Sequence, residues 1–114
     1  MPQPAQSIDH LLEEMVSRGA SDLHVSVNSA PAIRVRGHIE RLDEYEAFNA
    51  EATQQLLYRI LSSEQQKQLE INRQLDFAHS IPGLARFRVN VFFQRETMGA
   101  AFRLIPTDIK TGGC

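Results

Sequence analysis

Arginine side chains are the groups in this chain whose spacing could support chemistry. Arg86 and Arg88 are two residues apart in a segment of alternating apolar residues, and Arg103 follows in the next such segment. A guanidinium group suits phosphate because its planar fork donates two parallel hydrogen bonds and stays charged at any working pH. On the pattern alone, the commoner explanation is ordinary surface arginines that pair with carboxylates such as Asp22, Asp76 or Glu96.

The sequence carries none of the other common signatures of a catalytic or metal site. It contains neither G-x-x-x-x-G-K-[ST] nor G-x-G-x-x-G, so it predicts no phosphate-binding loop. Its four histidines lie far apart and its single cysteine is residue 114, which argues against a metal centre and a cysteine nucleophile. No serine lies in a G-x-S-x-G elbow. Arginine placement therefore remains as the functional signal.

The composition is that of a globular domain with a nearly balanced charge. The 114 residues predict one domain, and 12 basic against 14 acidic residues leave a formal net charge of -2. That balance argues against a dedicated nucleic-acid binder, which would show a basic excess. The sequence shows no signal peptide, no apolar run that could cross a bilayer and no possible internal disulfide. We therefore expect a cytoplasmic protein without direct membrane insertion.

The segment from Leu84 to Ile105 predicts a β-hairpin that would position the arginines. In its first half, apolar residues recur at every second position: Phe87, Val89, Val91 and Phe93. Arg86 and Arg88 fall on the opposite face because strand side chains have period two. A short polar break at 95–97 separates this strand from the next one, which contains Arg103. The apolar face belongs on a core, and the arginine face is the candidate functional face.

Three helices are predicted from apolar spacing and capping residues. Apolar residues at helical spacing follow Ser7 and stop at Gly19, and a second helical stripe follows the potential cap Asn49. Ser63 and Gln66 match a capping box for a third helix that is mostly polar.

The remaining strands complete one antiparallel sheet. Alternating residues predict a three-strand meander over 21–42, with a turn at Gly37-His38, and a further strand over 75–81. The order α, β-β-β, α, α, β-β-β predicts an α+β, two-layer domain with about six antiparallel strands and the helices on one face.

Four separated stretches of the chain occur in the same order and spacing in one protein family. They are Ala20-Ser21-Asp22-Leu23-His24-Val25-Ser26, Pro31-Ala32-Ile33-Arg34-Val35-Arg36-Gly37, Asp76-Phe77 with 82–92, and Gly99-Ala100-Ala101-Phe102-Arg103-Leu104-Ile105-Pro106. They resemble the opening of the PilT-like pilus retraction ATPases, which belong to the wider type II/type IV secretion ATPase family. The resemblance covers about residues 7–111.

This resemblance implies a domain organisation. Residues 1–108 would form a PAS-like N-terminal domain, and 109–114 would begin an interdomain linker or be an added tail. In this family the domain precedes a RecA-like ATPase core with Walker motifs, none of which occurs in this chain. The chain by itself is thus expected to be non-catalytic and to bind no cofactor. Its parent protein would be an ATPase of type IV pilus twitching motility that uses ATP and magnesium.

The resemblance also implies site residues and partners. Arg88 and Arg103 would reach the phosphates of bound ATP in the closed state of a homo-hexamer, and Arg86 is a third candidate. The implied partners are the RecA-like ATPase domains of the same and of neighbouring subunits, and the pilus platform protein of the inner membrane. The parent would be peripheral at the inner face of the cell membrane, and no nucleic acid is expected as a partner.

Two alternatives stay open. One is the N-terminal domain of a pilus-extension or type II secretion ATPase, although the short lead before Ser21 favours the retraction branch. The other is a free-standing PAS-like sensor or dimerisation module, which would need an interior cavity with polar groups.

Overall fold

The computed structural model describes residues 7–94 and 96–106. The elements follow the predicted order: α1 (Ile8–Ser17), β1 (Asp22–Val25), β2 (Ala32–Val35), β3 (His38–Arg41), α2 (Ala50–Tyr58), α3 (Ser63–Asn72), β4 (Gln74–Ile81), β5 (Ala85–Gln94) and β6 (Thr97–Ile105). The predicted domain boundary at 108 and the predicted linker 109–114 lie outside the described residues.

The six strands form one antiparallel sheet in the order β3-β2-β1-β6-β5-β4. The predicted hairpin is confirmed, because β5 pairs with β6 along its length, from Arg86 opposite Ile105 to Gln94 opposite Thr97. The other side of β6 pairs with β1, with Asp22 opposite Arg103. This pairing joins the N-terminal meander to the C-terminal one, and it places β6 between two strands that are far apart in sequence.

One face of the sheet packs against the helices and the other stays open. On β5 the apolar series predicted from the sequence is buried at Phe87, Val89 and Val91 and half-buried at Phe93. These side chains share one cluster with the buried residues of the helices, which include Leu11 of α1, Leu57 of α2 and Leu69 of α3. The α+β architecture with six antiparallel strands is therefore confirmed.

Several local predictions were wrong by one residue. Thr97, expected in the polar break, already belongs to β6, and the strand expected over 75–81 begins at Gln74. The turn between β2 and β3 falls at Arg36 and Gly37, with φ of 53° and 83°, and His38 already belongs to β3. Two left-handed residues match the twist of a two-residue hairpin. The capping box of α3 begins at Ser62 instead of Ser63, and its partner is Gln65 instead of Gln66.

Within the described residues, no helix is both long enough and apolar enough to cross a membrane.

Candidate phosphate-binding face

The strand register brings Arg88 and Arg103 directly opposite each other. They are partners in the β5–β6 ladder, so both side chains leave the sheet on its open face with Cβ atoms roughly 5 Å apart. Arg86 lies on the same face one step along β5, where it pairs with Ile105. The structure thus brings together the three arginines that the sequence singled out, with Arg86 one position removed from the other two.

These side chains belong to a row that crosses the whole sheet. We call this the arginine row; it contains one residue from each strand: Ala78, Arg88, Arg103, Asp22, Arg34 and Ile39. Arg88 and Arg103 are adjacent cations in it, and Asp22 separates Arg103 from Arg34. Since like charges directly opposite in a sheet repel, an anion above Arg88 and Arg103 would relieve that repulsion.

Arg88 keeps its guanidinium donors available. Its side chain is exposed, and it makes no hydrogen bond or ion pair to any residue within 7–94 and 96–106. It borders an open depression of about 250 Å³ that is also lined by Asp76, Ala78 and Ile105. Asp76, which the sequence suggested as an arginine partner, instead accepts a hydrogen bond from Nδ2 of Asn90 at 2.8 Å.

Arg103 does have a carboxylate partner, in agreement with the expectation that surface arginines pair with nearby carboxylates. Its Nε donates to Oδ2 of Asp22 at 3.2 Å. The Arg103 side chain is 75% exposed whereas that of Asp22 is 12% exposed. The pair therefore consists of a nearly buried anion and a cation that extends into solvent, with both terminal amino groups of Arg103 free of hydrogen bonds to the described residues.

The neighbours of Asp22 lower the pKa of its carboxyl group. Burial raises the pKa of this carboxyl, but hydrogen bonds from Ser21 and Arg103 and the positive charge of Arg103 outweigh burial, so the net pKa lies below its usual value. Ser21 Oγ donates to Oδ1 of Asp22 at 2.6 Å, while Arg103 binds the other oxygen. In the sequence, Asp22 is one of three possible carboxylate partners of the arginines, and Ser21 occurs only within a stretch that carries the family resemblance. No local pattern links them to Arg103, because the link depends on the pairing of β1 with β6.

The arginines of this face offer hydrogen-bond donors for an anion. Among the residues that the structure describes, no cluster of three or more histidine, cysteine, aspartate or glutamate side chains could hold a metal ion. Two adjacent guanidinium groups on a rigid sheet could instead donate several hydrogen bonds to the oxygens of one polyphosphate.

Comparison with known proteins gives the chain a family context. No protein-family model matches it. It is 40% identical over 108 residues to the type IV pilus retraction ATPase PilT of Pseudomonas aeruginosa, and the match covers 91% of this chain and 30% of PilT. It is 31% identical over 103 residues to the type IV pilus ATPase PilU of the same organism, with 90% of this chain and 27% of PilU covered. The chain thus spans about a third or less of the relatives that it matches.

Solved structures agree with these matches. A crystal structure of the pilus retraction motor PilT with bound ADP superposes with a TM-score of 0.84 and 37% identity, over 92% of this chain and 31% of that one. The Legionella pneumophila ATPase DotB has the same fold, with a TM-score of 0.75 over 94% of this chain and 32% of DotB, at 21% identity. We conclude that the chain is homologous to the N-terminal region of the PilT and PilU type IV pilus ATPases, within the PilT-like secretion ATPases.

Proposed function

We propose that this chain is the non-catalytic N-terminal domain of a hexameric type IV pilus retraction ATPase, and that it supplies Arg88 and Arg103 to the phosphates of ATP held by an adjoining ATPase domain. The observation that carries the proposal is the direct pairing of these two arginines on the open face of the sheet. In this proposal residues 1–108 form the domain and the segment from 109 onward leads toward the ATPase domain.

The residues present fit a polyphosphate. Arg88 makes no bond to the described residues that would have to break first, and Arg103 uses only Nε for Asp22. Each guanidinium can therefore offer a fork of donors to phosphate oxygens. When ATP and its magnesium ion are bound by the parent protein, they would supply the phosphoryl chemistry, while this domain would contribute positive charge. Arg86, one position along β5 on the same face, is a less central third donor.

The open face also suits coverage by another domain. Beside the arginines it carries small or partly apolar residues, among them Ala78, Ala101 and Ile105. Protein surfaces that combine arginine with apolar area are typical of interfaces. We propose that the RecA-like ATPase domains of the same and of a neighbouring subunit cover this face, so that the domain closes over ATP and opens after hydrolysis.

The remaining parts of the proposal concern the whole motor. The rigid-body motion would act on the pilus platform protein, with the motor at the cytoplasmic side of the inner membrane. PilT, which is 40% identical to this chain, is named a retraction ATPase, and this similarity supports the retraction branch in the proposal.

The test is a pair of substitutions in the full-length protein that carries this domain. Arg88→Ala or Arg103→Ala should each lower kcat/KM for ATP hydrolysis by roughly a hundredfold or more, because each removes a charged donor from the phosphates. Circular dichroism of both variants should match the unsubstituted protein, because both side chains are exposed. Thermal unfolding of Arg88→Ala should also match, whereas Arg103→Ala should lose some stability because Asp22 loses its ion-pair partner.

Arg41→Ala is the matched control. Arg41 lies on the same open face but on the edge strand β3, is 66% exposed, and has only Asp43 as an ion-pair partner, at 3.8 Å, among the described residues. We expect ATP turnover of this variant to stay close to normal. Near-normal turnover of both Arg88→Ala and Arg103→Ala would remove the proposed role of the two arginines.

A further inference from the structure

We propose that Asp22 is a positioning residue whose carboxylate holds Arg103 through Nε, so that the two terminal amino groups of Arg103 stay presented beside Arg88. The inference rests on the proposed function, because it assumes that Arg103 serves a phosphate. It concerns a different residue, however, and a contact that can be measured in this chain alone.

The carboxylate of Asp22 is fixed from both sides. Oδ1 accepts a hydrogen bond from Ser21 Oγ at 2.6 Å, and Oδ2 accepts one from Arg103 Nε at 3.2 Å. The strand that carries Asp22 is paired on both edges, with β2 and with β6. A side chain that is 12% exposed, with both oxygens engaged, has little freedom to move. Asp22 is therefore a rigid anchor for a flexible partner.

The contact with Asp22 uses the Nε atom of Arg103, and this choice of atom leaves the terminal amino groups available. An arginine has one Nε–H and two terminal amino groups, and phosphate is recognised through pairs of these donors. Asp22 takes only Nε, and the side chain of Arg103 remains 75% exposed. The anchored arginine thus loses rotamer freedom without losing its terminal donors, which lowers the entropy cost of binding an anion.

Arg88, in the same arginine row, has no such anchor. It has no hydrogen bond to the described residues, and the nearby carboxylate of Asp76 is engaged by Asn90. Of the two adjacent arginines, only Arg103 is anchored.

The alternative to a positioning role is that Asp22 competes with phosphate for Arg103. In that case removal of the charge of Asp22 would improve the use of ATP.

The direct test is nuclear magnetic resonance of the Arg103 Nε–Hε group in the 114-residue chain. In Asp22→Asn, which keeps the shape and removes the charge, we expect this proton to exchange with water roughly tenfold faster and its resonance to move toward that of a free arginine, because hydrogen bonds to a charged group are the stronger ones. The Nε–Hε signal of Arg88 is the internal control and should not change. An unchanged Arg103 signal would overturn the inference.

A second measurement does not require Asp22 to be replaced. The carboxyl carbon of Asp22 is titrated by nuclear magnetic resonance in the unsubstituted chain, in Arg103→Ala and in Arg88→Ala. We expect the pKa of Asp22 to rise in Arg103→Ala and to change little in Arg88→Ala, whose side chain does not bond it. Ser21 and His24, the other groups that act on Asp22, are the same in all three chains. Equal titration of Asp22 in all three would also overturn the inference.

Kinetics in the full-length protein separate this inference from the proposed function. Asp22→Asn should lower kcat/KM for ATP roughly tenfold, and it should add nothing when Arg103 is already alanine, because both substitutions act through one contact. An increase in kcat/KM would establish Asp22 as a competitor and overturn the inference. If Arg88→Ala and Arg103→Ala both leave turnover normal, the proposed function fails even where the resonance data show the anchor. If Arg103→Ala abolishes ATP turnover but the Nε–Hε resonance of Arg103 is unchanged in Asp22→Asn, only the present inference fails.

Discussion

At the scale of single residues, the open face depends on a glycine as well as on arginines. Gly99 of β6 lies opposite Phe92 of β5. A Cβ at position 99 would lie 2.8 Å from Cε1 of Phe92, 3.1 Å from its Cζ and 3.3 Å from the carbonyl oxygen of Val25. The Phe92 ring therefore occupies the space that a side chain at 99 would need.

Gly99→Ala should therefore destabilise the domain. Alanine is normally better than glycine inside a strand by roughly 0.5–1 kcal/mol, but the overpacking against Phe92 and Val25 should cost more, for a net loss of about 1–2 kcal/mol. Urea unfolding followed by circular dichroism measures this loss.

The control for Gly99→Ala uses the ring itself. In a Phe92→Ala background most of the crowding is gone, so the same substitution should cost less than half as much. An equal cost in both backgrounds would show that the ring is not the cause. A stabilised Gly99→Ala variant would contradict the packing described above.

At the scale of elements, α3 is the helix with the least packing. Leu69 is its one fully buried residue among the described residues, and Ile71 is 77% exposed. A helix of 10 residues with so little burial depends on its ends. At the start, Ser62 Oγ accepts from the Gln65 N–H at 3.1 Å and Gln65 Oε1 accepts from the Ser62 N–H at 2.9 Å. At the other end Arg73 adopts a left-handed conformation, with φ of 67°, and its N–H donates to the Leu69 carbonyl.

Ser62→Ala should lower the free energy of unfolding by about 1 kcal/mol, because it removes the acceptor of the capping box. Ser63→Ala is the matched control, since Ser63 is the first helical residue and makes no side-chain hydrogen bond to the residues described. It should change stability by less than about 0.5 kcal/mol. Equal costs for the two serines, measured by urea unfolding, would be incompatible with a cap at Ser62.

At the scale of the whole molecule, the two faces of the sheet have different physical roles. The helix-covered face contains the apolar cluster and stabilises the fold. The open face carries the arginine row, and in the proposed function it becomes complete only when an ATPase domain covers it. The sensor alternative needs instead a ligand that this chain binds alone.

Thermal unfolding of the 114-residue chain distinguishes these two functions. A ligand present at a hundred times its Kd would stabilise the fold by about 2.7 kcal/mol and raise Tm by several degrees. We expect no such rise with about 1 mM ATP and magnesium, nor with a panel of metabolites, because the phosphate site would be shared with another domain. Magnesium chloride alone is the control. A metabolite that raises Tm by several degrees would favour the sensor function.

Local features of this fold were readable from residue order alone, because they depend on neighbours in sequence. Period-two alternation placed Arg88 and the apolar residues of β5 on opposite faces, and apolar spacing located α1 and α2. Some boundaries lie one residue from the expected position, as at the Ser62 cap and at the turn formed by Arg36 and Gly37, because neighbouring residues satisfy the same local pattern.

The partners of Arg103 depended on long-range pairing. Asp22 and Arg103 are 81 residues apart, and they meet because β1 pairs with β6. Nothing in the alternation of either strand selects that neighbour, since several strands could offer a similar apolar face to the same helices. The choice is made by the packing of the whole sheet against its helices. That packing places Arg103, which is bound to Asp22, directly opposite Arg88, which makes no hydrogen bond to the described residues.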